Sequence, residues 1–147
     1  MSVRNFAMVM GVAFLLVGVL GFVPPALTHP AAGGTHHGGD LRVTAFDGYL
    51  LGLFHVNVLH SLTHVLFGLM GIFMSRSWDT ARLYARIVAV AYALLAVMGL
   101  VPALDTVFGL IPIHGHDVWL HAVIALAAAY FGFAAGPDRA GDTTTTV

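Results

Sequence analysis

Long apolar runs separated by a few short polar stretches set the pattern of this chain. The runs lie near Asn5 to Val23, Val58 to Met74, Arg82 to Val101 and Val118 to Gly136. Each approaches the roughly 20 residues that a helix needs to cross the hydrocarbon core of a bilayer. The pattern predicts an all-α fold, an integral membrane four-helix bundle forming one transmembrane domain over residues 1–136, with spans at about 5–23, 58–74, 82–101 and 118–136. Residues 24–57 form a long connection whose "PPALTHPAAGGTHHGGDLRVTAFDGYLLG" is rich in Gly and Pro and predicts irregular structure. Its "THHGGD" is a polar loop or a loose metal collector, as flexible His tracts are. Residues 137–147 predict a flexible tail. The first run is longer than a usual signal h-region, lacks an A-x-A site and ends in "FVPPAL", so it reads as a retained span.

Composition strengthens this reading. Charged residues make up 9% of the chain and hydrophobic ones 59%, with a mean hydropathy of +0.89; soluble domains carry charge on about a quarter of their residues. The expected location is the cell membrane, as a multi-pass protein. The net charge of −1 says nothing about nucleic acid and no basic patch suggests it, so no nucleic-acid partner is expected. The remaining partners are the lipid bilayer, a second copy of the chain as a homo-oligomer, or the subunits of a membrane complex. The absence of cysteine excludes disulfides, thiolate metal sites and cysteine nucleophiles. Ser61 sits beside His60, but adjacent helix positions do not face each other, so no serine nucleophile is built there.

Arginine placement orients the chain. Arg4, Arg76, Arg82, Arg86 and Arg139 flank one set of span ends, and only Arg42 lies on the other side. The positive-inside rule therefore predicts cytoplasmic N- and C-termini and a cytoplasmic "SRSWDTARLYAR" connection. Trp78 and Tyr84 would then belong to the inner aromatic belt and Trp119 to the outer one. All nine histidines fall on the opposite side from the arginines, in the outer connections or the outer halves of the second and fourth helices. That asymmetry is the strongest functional signal in the chain.

An internal repeat sharpens it. "VAFLLVGVLGFVP" from Val12 and "VAYALLAVMGLVP" from Val90 agree at seven of thirteen positions, and "GLFHVNVLHSLTH" from Gly52 aligns with "GLIPIHGHDVWLH" from Gly109. A tandem repeat of two two-helix units sets His60 against Asp117 and His64 against His121, at one depth. Residues four apart share a helix face. Asn57 can cap the second helix, and Asp117 lies in the opening turn of the fourth, where the helix dipole favours a carboxylate.

Two histidines at i and i+4 are a standard helical chelate, although Ser61 rules out the H-E-x-x-H protease motif. His60, His64, Asp117 and His121 form a nitrogen and oxygen donor set suited to a transition metal such as Zn²⁺, Cu²⁺, Fe²⁺ or Ni²⁺. Two alternatives stand beside that reading. The same residues serve as metal-free hydrogen-bonded glue in a structural or accessory subunit. Or His64 and His121 are axial ligands of a b-type haem in a redox protein, with Gly18, Gly68 and Gly71 making room for the ring. His55, His114 and His116 flank the mouth as auxiliary candidates for relaying protons or ions inwards. No catalytic residue is assigned.

At "LLGLFHVNVLHSLTHVLFGLMGI" and "IPIHGHDVWLHAVIAL" the chain resembles a family of small four-helix bacterial membrane proteins, the domain of unknown function numbered 4383. Its second helix opens with a pattern like V-L-H-N-L-V-H-L-x-x-G, matched by His60, His64 and Gly68, and its fourth with A-D-x-x-L-H, matched by Asp117 and His121. The chain departs from the pattern at Ser61, where an Asn is usual, and at His55, His114 and His116. The resemblance implies a four-helix fold, singles out the same four residues and supplies no activity.

The predicted orientation has a direct test. Cysteines introduced as S75C and T35C should be labelled from opposite sides of intact cells, position 35 from outside; outside labelling of position 75 would overturn the topology.

Overall fold

The computed structural model describes residues 1–29 and 41–136. His36 and His37 of the "THHGGD" loop and the 137–147 tail lie outside the described residues. Four helices are present: α1 (Val3–Leu20), α2 (Val58–Met74), α3 (Trp78–Gly99) and α4 (His116–Ala129), the last continued by a π-helical turn, Tyr130–Ala134. Three of the four starts carry a side-chain cap. Ser2, Asn57 and Ser77 accept the backbone N–H three residues ahead, satisfying a first-turn donor that the helix itself leaves open. α4 instead begins after Gly115, whose φ of 65° any side chain would strain.

The long first connection is not wholly irregular, and the fold is not purely helical. It contains a small antiparallel sheet of β1 (Leu27–Thr28), β2 (Gly48–Leu50) and β3 (Phe54–Val56), in the order β1-β2-β3. Leu27 pairs with Leu50 and Tyr49 with His55. Strands of two or three residues are too short to display an alternating pattern, so the Gly- and Pro-rich composition hid them. What holds them is tertiary: Leu27, Leu50 and Val56 bury together, with Val17 of α1 packed against them.

α1 packs antiparallel to α2, and α3 to α4. Glycine lets the first pair approach backbone to backbone. A Cβ on Gly68 would lie 2.5 Å from the Leu15 nitrogen, and one on Gly11 would lie 2.6 Å from that of Ile72. Small residues at helix contacts are the usual membrane solution, because lipid tails leave no hydrophobic drive and close van der Waals contact must replace it. Gly18 and Gly71 are filled in the same way, by Val65 and by Tyr84. The room expected there for a haem ring is therefore taken up by helix packing.

The two hairpins join through a core that includes Phe6, Phe14, Tyr84, Val88, Tyr92 and Ala128. Phe14 stacks on Tyr92 with ring centroids 5.1 Å apart. Tyr84 is thus a core residue, fully buried, and not a member of an interfacial belt. It shares its helix face with Ala81, Ala85 and Val88, and that face is turned into the bundle. Large aliphatic side chains point the other way: Leu16, Leu66, Leu94 and Leu126 are all exposed. Such a girdle is favourable against lipid and unfavourable against water. α1, α3 and the 19 residues His116–Ala134 are each long and apolar enough to cross a membrane, while α2 is a shorter apolar helix of 17 residues.

One end of the bundle is an arginine pole. Arg4 Nε–H donates to the Ser75 carbonyl, and Arg82 and Arg86 both donate to the Gly132 carbonyl, at 3.0 and 2.9 Å. The two arginines satisfy a carbonyl at the end of α4 that the helix leaves free. The histidines gather at the opposite end.

If close approach at glycine holds α1 to α2, then G68A should destabilise the protein by ~1–3 kcal/mol through overpacking. Thermal unfolding in detergent should show the lower midpoint. G136A, where an added Cβ meets nothing within 4 Å, should leave the midpoint unchanged.

Candidate metal centre

Asn57 starts the site. Its fully buried side chain accepts the His60 N–H at 3.0 Å and donates to the carbonyls of Val43 and Leu110, at 2.9 and 2.7 Å. One amide thus fixes the first turn of α2 against both connections at the histidine pole. A further backbone bond, Arg42 N–H to the Gly109 carbonyl at 2.8 Å, ties those connections to each other.

His60 follows in the first turn of α2, buried. Its Nδ1 lies 3.2 Å from the His55 carbonyl oxygen. A carbonyl can only accept, so Nδ1 carries the proton and Nε2 presents a lone pair. This is the arrangement by which metal-binding histidines are usually oriented, with the far nitrogen held by a backbone carbonyl. Asp117 and His121 face it from α4, one helical turn apart and both buried. One ligand atom from each of His60, Asp117 and His121 lies within 4.8 Å of the other two. Among the described residues this is the group whose geometry suits an ion.

His64 occupies the next turn of α2, outside that triangle. Its ring stacks on His60 with centroids 4.9 Å apart and an interplanar angle of 20°. The structure therefore brings three of the four expected ligands within mutual reach and sets the fourth directly beside them. Aromatic rings hold the group from the bundle side. Phe14 lies 5.4 Å from the His64 ring, and Tyr92 meets His121 edge-on at 5.1 Å.

Asp117 Oδ2, His121 Nδ1 and His64 Nδ1 are buried without a hydrogen-bond partner. Buried polar atoms are nearly always paired, and each exception calls for an explanation. Three unpaired donor or acceptor atoms in one buried group are what an exogenous ion or ligand would satisfy.

The auxiliary histidines divide. His55 is buried on β3, its ring stacked on Tyr49 at 4.7 Å. In the neutral ring Nε2–H donates to Asp47 Oδ1 at 2.9 Å, and Nδ1 then accepts from His114 Nε2–H at 3.1 Å. His55 and His114 are thus joined to each other at the rim, and the His55 carbonyl holds His60. His116 is exposed and accepts from Trp119 Nε1–H at 3.1 Å, outside the site. His29 is exposed and donates to the Asp47 carbonyl.

Three contributors have no signal in the local sequence. Asp47 lies eight positions before its partner His55, a spacing that no helix or strand period marks. Phe14 and Tyr92 come from the two helices that carry no site histidine.

No curated protein and no solved structure matches the chain. The two helix openings that carry the site, with the spans between and around them, fall inside a family-model match over residues 4–134, and the chain belongs to that family, described as a domain of unknown function (DUF4383).

Proposed function

We propose that the histidine pole of this membrane protein binds one transition-metal ion, ligated by His60, Asp117 and His121 with His64 as the fourth donor. The observation that carries the reading is the convergence of three buried donors from two helices within 4.8 Å, with His60 Nε2 already oriented as a lone pair. Imidazole and carboxylate donors favour Zn²⁺, Cu²⁺, Fe²⁺ or Ni²⁺ over the softer Cu⁺. With only three ligands engaged, the ion would keep an open position, as catalytic centres do; with His64 engaged it would be closed, as structural centres are.

Two further readings belong with this one. His60 and Asp117 are counterparts in a tandem repeat of two-helix units, a reading supported by the parallel roles of the α1–α2 and α3–α4 hairpins. The centre faces the extracytoplasmic side, a reading supported by the arginines at the opposite pole.

Metal analysis of purified protein tests the proposal. Wild type should hold about one ion per chain, and H121A or D117A should reduce this to near zero while the helical signal persists; H116A, which alters a residue outside the site, should change nothing. The ligands must be deprotonated to bind, so occupancy should fall as the pH is lowered. Wild type that stays metal-free through Zn²⁺, Cu²⁺ and Fe²⁺ titration, with an unchanged melting midpoint, would leave packing as the role of the cluster.

A further inference from the structure

The arginine pole gathers cations without gathering acids. Arg82 and Arg86 stand one helical turn apart on α3, both half-buried, and both direct Nε–H at the Gly132 oxygen, at 3.0 and 2.9 Å. A guanidinium stays charged in a protein, so two like charges are held close together against one neutral acceptor. Each is also laid over a ring. Arg82 Cζ lies 4.8 Å from the Trp78 ring centroid, and Arg86 Cζ lies 5.4 Å from that of Phe133. A carbonyl and a ring fix the direction of a cation without cancelling its charge.

No carboxylate does so either. Among the described residues no arginine forms an ion pair, and Asp79, the one carboxylate at this pole among them, is exposed in the first turn of α3. Arg4 and Arg76, both exposed, add further positive charge nearby. Ionisable side chains within a membrane span are normally paired, and a pair of cations lacking a counter-charge marks a site for one.

The surface beside the pair selects the kind of anion. Arg86 heads an open groove on the outside of α3 whose other lining residues are Ile87, Val90 and Ala91. Val90 is 65% exposed, on the same helix that presents Leu94 outwards. These residues succeed one another away from the arginine pole, so the groove runs from the guanidinium pair towards the middle of the span. Charge at one end and an apolar channel at the other fit an amphiphile. A free phosphate ion would engage only the first, and a neutral lipid only the second. Guanidinium groups take phosphate oxygens through paired hydrogen bonds, and basic pockets between membrane helices hold anionic headgroups. A zwitterionic headgroup carries its own cation beside the phosphate, which two arginines disfavour.

We propose that Arg82 and Arg86 bind the phosphate of an anionic phospholipid, with one acyl chain laid along Ile87, Val90 and Ala91. The Nε–H groups stay on Gly132, and the remaining N–H groups of the pair receive the phosphate oxygens. The anion relieves the repulsion between the two cations and so fastens the start of α3 to the end of α4. This site lies at the opposite pole from the metal centre and does not depend on it.

Native mass spectrometry and thermal unfolding of the full chain in detergent test the proposal, with dioleoylphosphatidylglycerol or dioleoylphosphatidylcholine added. The two lipids share their acyl chains, so a difference between them reads the headgroup. Phosphatidylglycerol should bind at about one tightly held molecule per chain and raise the melting midpoint, with phosphatidylcholine at least about tenfold weaker. R82Q and R86Q should each weaken phosphatidylglycerol binding by roughly fivefold; in each variant the other arginine still satisfies Gly132. R76Q removes the same charge away from the pair and should leave binding nearly unchanged. If R86Q melts early, R86K takes its place: it keeps the charge, loses the paired geometry and should bind more weakly than wild type. V90W fills the groove at an exposed position and should weaken binding without lowering the lipid-free midpoint. Equal binding of the two lipids, or an R76Q loss as large as that of R82Q and R86Q, would overturn the site and leave diffuse surface charge. Equal stabilisation by inorganic phosphate would overturn the lipid, and unchanged binding to V90W would overturn the seat of the acyl chain.

Discussion

Asn57 is a single buried amide on which three segments of backbone converge. Its oxygen satisfies the first turn of α2, and its nitrogen satisfies a carbonyl from each of the two connections at the histidine pole. In a low-dielectric interior an unmade hydrogen bond is expensive, so the positions of these segments are strongly coupled. The coupling reaches the candidate centre through one further bond. The connection that Asn57 secures continues into β3, and the β3 residue His55 supplies the carbonyl that sets the tautomer of His60. The loops at this pole therefore orient the His60 ring as well as join helices.

The helix packing makes a polar pole possible. α1 and α2 are held by backbone approach at Gly11, Gly18, Gly68 and Gly71, a contact that uses almost no side-chain volume. The volume of the bundle interior is then taken by aromatic residues, among them Phe14, Tyr84 and Tyr92, while the long aliphatic side chains are turned outwards. Above that aromatic layer α1 and α4 diverge, and histidines and an aspartate occupy the floor of the space between them. At the other pole the arginines have a different task, since Arg82 and Arg86 satisfy the Gly132 carbonyl and close the end of α4. The two poles thus carry different chemistry, arginines that close a helix end at one and a buried His/Asp group at the other.

Sequence reasoning read the local features well. Four apolar runs are a property of each segment alone, so the four helices follow directly, with boundaries displaced by at most four residues once the π turn that continues α4 is included, as at the start of α3. The Asn57 cap is likewise local, a preference of one side chain for the amides just ahead of it. His60 and His64, and Asp117 and His121, share faces because of helical period alone. Pairing the two faces across helices came from the repeat pattern and the family motif, and the burial of all four residues agrees with it.

What the tertiary structure alone decided depends on contacts between distant segments. The three short strands exist because Leu27, Leu50 and Val56 find one another under α1, not because any of them has a strand pattern. Tyr84 is buried because its face of α3 meets Gly71, a contact invisible from the position of Tyr84 in its own segment. Asp47 reaches His55 through a turn of the sheet, and His114 reaches it from another connection. Most of all, the sequence set His60 and His64 together as expected ligands on one face. The crossing of α2 and α4 placed only His60 within the triangle and laid His64 against it, at the floor of a cavity whose walls come from α1 and α4. Helical period assigns a residue to a face, whereas the distance between two faces is set by the packing of every residue between them.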